Sequence, residues 1–147
     1  MADLPRARIL DRRRLSALLA AAFAYFGVVF CVGFALGALR TLAVAPMIGE
    51  VSAVSIEAPI MLAVSWIACG WCLDLIPVEA AAGPRIAMGA TAFALLMATE
   101  FAVGMVLFAR DPLTALHNYA TPAGEIGLAS QVAFALIPYL RGRLASA

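Results

Sequence analysis

A chain of 147 residues that is 65% hydrophobic and only 13% charged is not an ordinary soluble domain, which is nearer half apolar and a quarter charged. These proportions point to an integral membrane protein, and the length allows one small domain. The formal net charge of +1 says little as a sum, but all ten basic residues are arginine and they are unevenly placed.

Five of the ten arginines, Arg6, Arg8, Arg12, Arg13 and Arg14, precede residue 15. The run is short and has no interleaved aromatics, so it reads as a topology signal and nucleic acid is not an expected partner. Leu15–Leu39 follows, 25 residues without a charge. A signal-peptide core has about 7–15 apolar residues, so this stretch reads as a retained anchor and first span. Within it, Gly33-x-x-x-Gly37 offers a close-approach step for helix packing or for a homo-oligomer contact.

The stretch Thr41–Gly49 contains Pro46 and Gly49 and is otherwise apolar, which predicts an outer connection that lies in the interface or dips back into the membrane. Val51–Leu73 is the second span, interrupted by Glu57 and closely followed there by Pro59. Pro59 removes a helical donor and frees a carbonyl one turn back, near Ser55. Pro77 and Gly83-Pro84 mark the next turn. Ile86–Ala109 is the third span, interrupted by Glu100. Pro112, Pro122 and Gly124 mark a second outer connection, and Ile126–Leu140, at 15 uncharged residues, is a short fourth span carrying Gln131. A crossing needs about 20 residues, so this last segment is marginal.

The expected organisation is a cytoplasmic basic tail at 1–14, a four-helix transmembrane domain at 15–140 and a cytoplasmic tail at 141–147. The fold class is all-α, an up-down bundle. With the N-terminus inside, eight arginines (Arg6, Arg8, Arg12, Arg13, Arg14, Arg85, Arg141, Arg143) face the cytoplasm and two (Arg40, Arg110) face out. The positive-inside rule therefore places both termini in the cytoplasm.

A carboxylate in hydrocarbon costs at least a few kcal/mol, so Glu57 and Glu100 need a partner or a role. Counted from the outer ends of their spans they lie roughly 9 Å and roughly 14 Å deep. Gln131 falls at a similar depth, and Arg40 ends the first span. Arg40, Glu57, Glu100 and Gln131 are the candidate intramembrane polar site, in the outer half of the membrane. Three readings stay open: a structural lock, a site for a small molecule, lipid or partner subunit, and proton handling by Glu57 and Glu100 in an oligomeric carrier.

Other chemistry finds little support. Cys69-Gly-Trp-Cys72 has the spacing of a redox pair, as in four-helix quinone-linked thiol oxidases. It sits at the inner end of its helix, away from a helix N-terminus, and no second pair accompanies it, since Cys31 is alone. Core packing is the expected role. His117 is the single histidine, and no metal-binding motif is present. No phosphate loop or nucleophile elbow occurs either, so an enzyme is the less favoured class and no cofactor is named. The lipid bilayer is the first expected partner, with a homo-oligomer or larger membrane complex next.

Gly37-Ala-Leu-Arg40, Pro46-Met-Ile-Gly49-Glu50 and Glu57-Ala-Pro59, with Arg85-x-x-x-Gly89, Glu100 and Pro138, resemble a group of small bacterial inner-membrane proteins. The resemblance covers residues 15–140. It implies a four-span fold and carries no activity with it.

Overall fold

The computed structural model of the protein describes residues 4–108 and 111–145. Arg110, counted above in an outer connection, lies outside the described residues, as do Ala109, the expected end of the third span, and both extreme termini. Six α-helices and one π-helical turn account for nearly all of the described chain: α1 (Leu4–Leu39), the π-helical turn Arg40–Val44, α2 (Ala45–Ile48), α3 (Glu50–Leu75), α4 (Ala82–Phe108), α5 (Pro112–Asn118) and α6 (Pro122–Ala145). There is no strand among the described residues. Four helices are long and apolar enough to cross a membrane, over Asp11–Ile48, Glu50–Leu75, Ala82–Val106 and Pro122–Leu144. The fold is thus an all-α four-helix bundle, compatible with a multi-pass integral membrane protein.

The boundaries differ from the sequence-based expectation in three places. The first helix starts at Leu4, so most of the expected tail continues the helix. The stretch from Thr41 to Ile48 is neither a loop nor a re-entrant piece: it prolongs α1 through the π-helical turn into α2. Its Leu, Ala, Val, Met and Ile residues are all compatible with helix, and the break falls on Gly49 alone, whose φ of 84° is accessible chiefly to glycine. The fourth helix reaches 24 residues because Pro122, Gly124, Glu125 and the arginines Arg141 and Arg143 lie within it, not beyond it. It is not marginal. Pro122 suits a first turn, where its missing N–H would be unbonded anyway.

α1 packs against α3 and α4, and α6 packs against the same two. The ring order is therefore α1–α3–α6–α4, with α1 facing α6 and α3 facing α4 across the diagonals. Directions alternate along the chain. Arg14 of α1 meets Glu79 after α3 at one end, and Arg40 meets Glu50 at the other. The connection from α3 to α4 crosses one end of the bundle.

Small groups make up much of the interior, beside a few large buried side chains such as Tyr25, Met88, Leu96, Phe134 and Ile137. Ala21, Ala22, Ala53, Ala68, Ala92, Ser65, Cys69 and Cys72 are buried, whereas Phe23, Phe34, Ile56, Ile60, Ile67 and Val106 face outward. That distribution suits lipid surroundings, where close backbone approach, not burial of large side chains, holds helices together. Gly89 shows why: a methyl there would overlap the carbonyl of Ala135, so α4 and α6 meet backbone to backbone. In the Gly33-x-x-x-Gly37 step, only Gly33 lies against a neighbour, the Met61 side chain of α3, while Gly37 faces open space.

The two prolines inside helices leave different traces. Pro138 cannot donate to the carbonyl of Phe134 four residues back. The hydroxyl of Tyr25, reaching across the diagonal from α1, donates to that carbonyl at 3.0 Å. Its ring stacks on Phe134 with centroids 4.5 Å apart. Tyr25 and Pro138 are both fully buried. Near Pro59, Ser55 donates its hydroxyl to the Val51 carbonyl.

Candidate functional site

Two joints at the Gly49 end of the bundle position the polar residues. The π-helical turn begins on Arg40 itself, and its extra residue rotates the face of α1 relative to that of α2. The turn after Gly49 then starts α3 on Glu50, so Glu50 and Glu57, two turns apart on one helix, share a face directed at Arg40. Arg40 Nε lies 2.6 Å from Glu57 Oε2 and its Nη1 lies 3.8 Å from Glu50 Oε1. The closer contact is charge against charge and not an aligned hydrogen bond. Both of its atoms are buried without a hydrogen-bond partner among the described residues. The Arg40 and Glu57 side chains are 27% and 19% exposed, against 70% for Glu50, so the short pair is the shielded one.

The second pair comes from the other side of the ring. Gln131 of α6 donates from Nε2 to Glu100 Oε2 of α4 at 2.7 Å. Glu100 is also within electrostatic reach of Arg40 and of Glu57. The four residues singled out in the sequence thus form two pairs, Arg40–Glu57 from the π-helical turn and α3 and Glu100–Gln131 from α4 and α6, within electrostatic reach of each other. Gln131 Oε1 is buried and has no donor among the described residues.

Tyr119 lies within electrostatic reach of Glu100. Asp111 caps the short α5, accepting from the backbone N–H groups of Leu113 and Thr114, and Tyr119 follows at its end. Burial, with the Glu100 carboxylate adding to it, pushes the Tyr119 phenol above its ordinary pKa, so at neutral pH it is a neutral hydroxyl. The sequence does hold a signal for it: a hydrogen-bonding aromatic stands directly before the fourth span, at the end toward which the third span runs on from Glu100.

The chemistry on offer is that of a shielded cluster of acceptors around one cation. Glu57, Glu100 and the Gln131 carbonyl accept, while one guanidinium and the Gln131 amide donate. None of the hydrogen bonds or ion pairs of these residues involves a serine, cysteine or histidine among the described residues. His117 is exposed in the last turn of α5. The described residues hold no group of three His, Cys, Asp or Glu side chains arranged for a metal ion. Cys31, Cys69 and Cys72 are free thiols, and the latter two belong to the buried core. Two arginines from other helices, Arg141 and Arg85, lie within electrostatic reach of Cys69. A shallow apolar groove of about 210 Å³ between α1 and α3, lined by Val28, Val64, Ile67, Ala68 and Trp71, contains none of the four polar residues. Comparison of the chain with protein-family models, with curated proteins and with solved structures finds no match.

Proposed function

We propose that the protein is a multi-pass inner-membrane protein with both termini in the cytoplasm. In this reading the cluster of Arg40, Glu57, Glu100 and Gln131 is a polar site in the outer half of the membrane. It binds a small molecule, lipid or partner subunit through groups that donate hydrogen bonds. One observation carries the reading. Polar atoms are left unmatched in a shielded setting: Gln131 Oε1, Glu57 Oε2 and Arg40 Nε have no hydrogen-bond partner among the described residues, and Glu57 and Glu100 share a single guanidinium. An amine or hydroxyl group supplies what is missing, at a place where unmatched polar atoms are costly.

The test is native mass spectrometry of the protein extracted in mild detergent. The expected result is a copurified small molecule or lipid that is reduced in Glu57→Gln and in Glu100→Gln. Equal retention in wild type and both variants would refute the reading.

The alternative is a proton-coupled carrier acting as an oligomer, with Glu57 and Glu100 as proton sites. It is favoured by the mutual electrostatic reach of the two carboxylates, which lets a proton be shared between them. Four helices rarely enclose a pathway alone, so this alternative requires a homo-oligomer. A monomer in detergent and in reconstituted bilayers counts against it. An enzyme using either glutamate as a general acid is the least supported class, because no second reacting group accompanies them.

A further inference from the structure

The opposite end of the bundle carries a second concentration of charge, built from residues that the sequence explains only as topology signals. Arg85 enters in the first turn of α4, and Arg141 lies in the last turns of α6. The helices bring the two together. Gly142, next to Arg141, packs so closely on α4 that a Cβ there would stand 3.3 Å from Arg85 Cγ. The two guanidinium groups are within electrostatic reach of each other.

Like charges brought together at a helix end normally have carboxylates between them. These do not: among the described residues no Asp or Glu lies within ion-pair distance of either. The nearby Glu79 carboxylate is directed at Arg14, 3.5 Å away, and both of those side chains are largely exposed. Arg85 is instead fixed by backbone. Its Nε donates to the Glu79 carbonyl at 3.1 Å and its Nη2 to the Val78 carbonyl at 2.9 Å. Arg141 donates from Nε to the Trp66 carbonyl at 3.1 Å. Its guanidinium stands 4.9 Å from the Trp66 ring centroid and lies over Gly70, where any Cβ would come within 2.6 Å of it.

These contacts hold both planes in place and cancel neither charge. They also leave donors over. Arg85 Nη1 and both terminal nitrogens of Arg141 make none of the hydrogen bonds described, and none is among the buried atoms without a partner. Arg85 is only 9% exposed and Arg141 is half-buried, so these are largely shielded cations with donors left over. Two fixed forks with donors left over and shielded, uncompensated charge suit a multi-oxygen anion better than a single carboxylate. Their height matters too. Both lie within about a turn or so of their helix ends, roughly 5–8 Å, which is the level of the lipid headgroups.

We propose that Arg85 and Arg141 form a phosphate-binding site between α4 and α6, at the end of the bundle opposite the Arg40 cluster. The ligand is a phosphate group, carried by an anionic lipid headgroup or free in solution. The proposal is independent of the Arg40 site and of what that site binds.

Trp66 reports on this site directly, because Arg141 is stacked on it. The full chain with Trp71→Phe, in a maltoside detergent, leaves Trp66 as its single tryptophan. Its fluorescence is titrated with short-chain phosphatidylglycerol and, separately, with inorganic phosphate, with a neutral diacylglycerol as control. A saturable change with phosphatidylglycerol alone assigns the site to a lipid headgroup. A saturable change with inorganic phosphate assigns it to free phosphate. Arg141→Gln is expected to raise the half-saturating concentration about tenfold or more, the effect of losing charge-assisted bonds. Arg141→Lys keeps a cation for folding, lacks the planar fork and is expected to weaken binding by a smaller factor. Arg143→Gln, on the same helix end but bonded to the Tyr139 hydroxyl and exposed, is expected to leave binding unchanged. No saturable change with either probe overturns the proposal. So does an equal loss in Arg143→Gln and Arg141→Gln, which would reduce the effect to general surface charge, or unaltered binding in both Arg141 variants.

Discussion

Removing the Arg40 guanidinium leaves two shielded carboxylates, Glu57 and Glu100, without the cation that reaches both. Breaking a fully buried ion pair by deleting one partner costs about 3–5 kcal/mol. Arg40 and Glu57 retain 27% and 19% exposure, so water or headgroups can rehydrate part of the orphaned charge. Arg40→Ala is therefore expected to lower stability by about 2–3 kcal/mol, which for a chain of this size is a fall of roughly 5–10 °C in melting temperature. Glu57→Gln removes the charge that Arg40 meets but leaves an amide able to accept from it, so its loss is smaller. The double variant should be more stable than the sum of the single effects allows, with a coupling of about 1–2 kcal/mol. The measurement is the melting temperature of wild type, both single variants and the double variant in one detergent. Strict additivity would refute the reasoning. Arg40 would then be balanced chiefly by the exposed Glu50, 3.8 Å away, and the short contact to Glu57 would contribute nothing.

Three further outcomes are expected. Gln131→Leu deletes the amide that donates to Glu100 at 2.7 Å and should lower the melting temperature, while adding Glu100→Gln to it should restore part of the loss; no recovery would mean the two act separately. Tyr25→Phe keeps the stack on Phe134 but leaves its carbonyl without a donor, at a cost of about 1–3 kcal/mol by thermal or denaturant unfolding. The double change Cys69→Ala with Cys72→Ala trims two buried thiols from the core, so a modest stability loss of about 1–2 kcal/mol is expected. No redox-dependent mobility shift is expected in native membranes.

The four spans are legible in the sequence because an apolar run of sufficient length is a bulk property that needs no partner to interpret. The contacts of Glu57 and Glu100 are legible for a related reason. A carboxylate in an apolar run has few candidates to meet, and Arg40 and Gln131 are the polar residues at matching depth. Helix ends are less so. Thr41–Ile48 contains a proline and suggests a turn, yet Pro46 falls in the first turn of α2, just after the π-helical turn, where its missing N–H costs little. Charges at 4–14 and 122–125 suggest span limits, although a helix can run past the hydrocarbon as readily as inside it. Tyr25 is not legible as a partner of Pro138, because their meeting depends on which helices face each other diagonally, and hydrophobicity alone is silent on ring order. The pairing of Arg85 with Arg141 is hidden for the same reason, and because terminal arginines also satisfy the orientation rule without any partner.

The bridge from Tyr25 to the Phe134 carbonyl bears on how the protein is made. The donor lies on the first of the four spans to be synthesised, and the carbonyl that lacks a donor lies on the fourth. In hydrocarbon an unbonded carbonyl costs several kcal/mol, and Pro138 has no N–H to give the Phe134 carbonyl. The fourth span therefore gains its full stability inside the membrane only by docking against the first, and α3 and α4 form the walls between which that docking occurs. The bundle closes on the span that enters the membrane earliest. A chain truncated before α6 would lack that carbonyl, and the Tyr25 hydroxyl would be left to Ser65 of α3, the other side chain within its hydrogen-bonding reach.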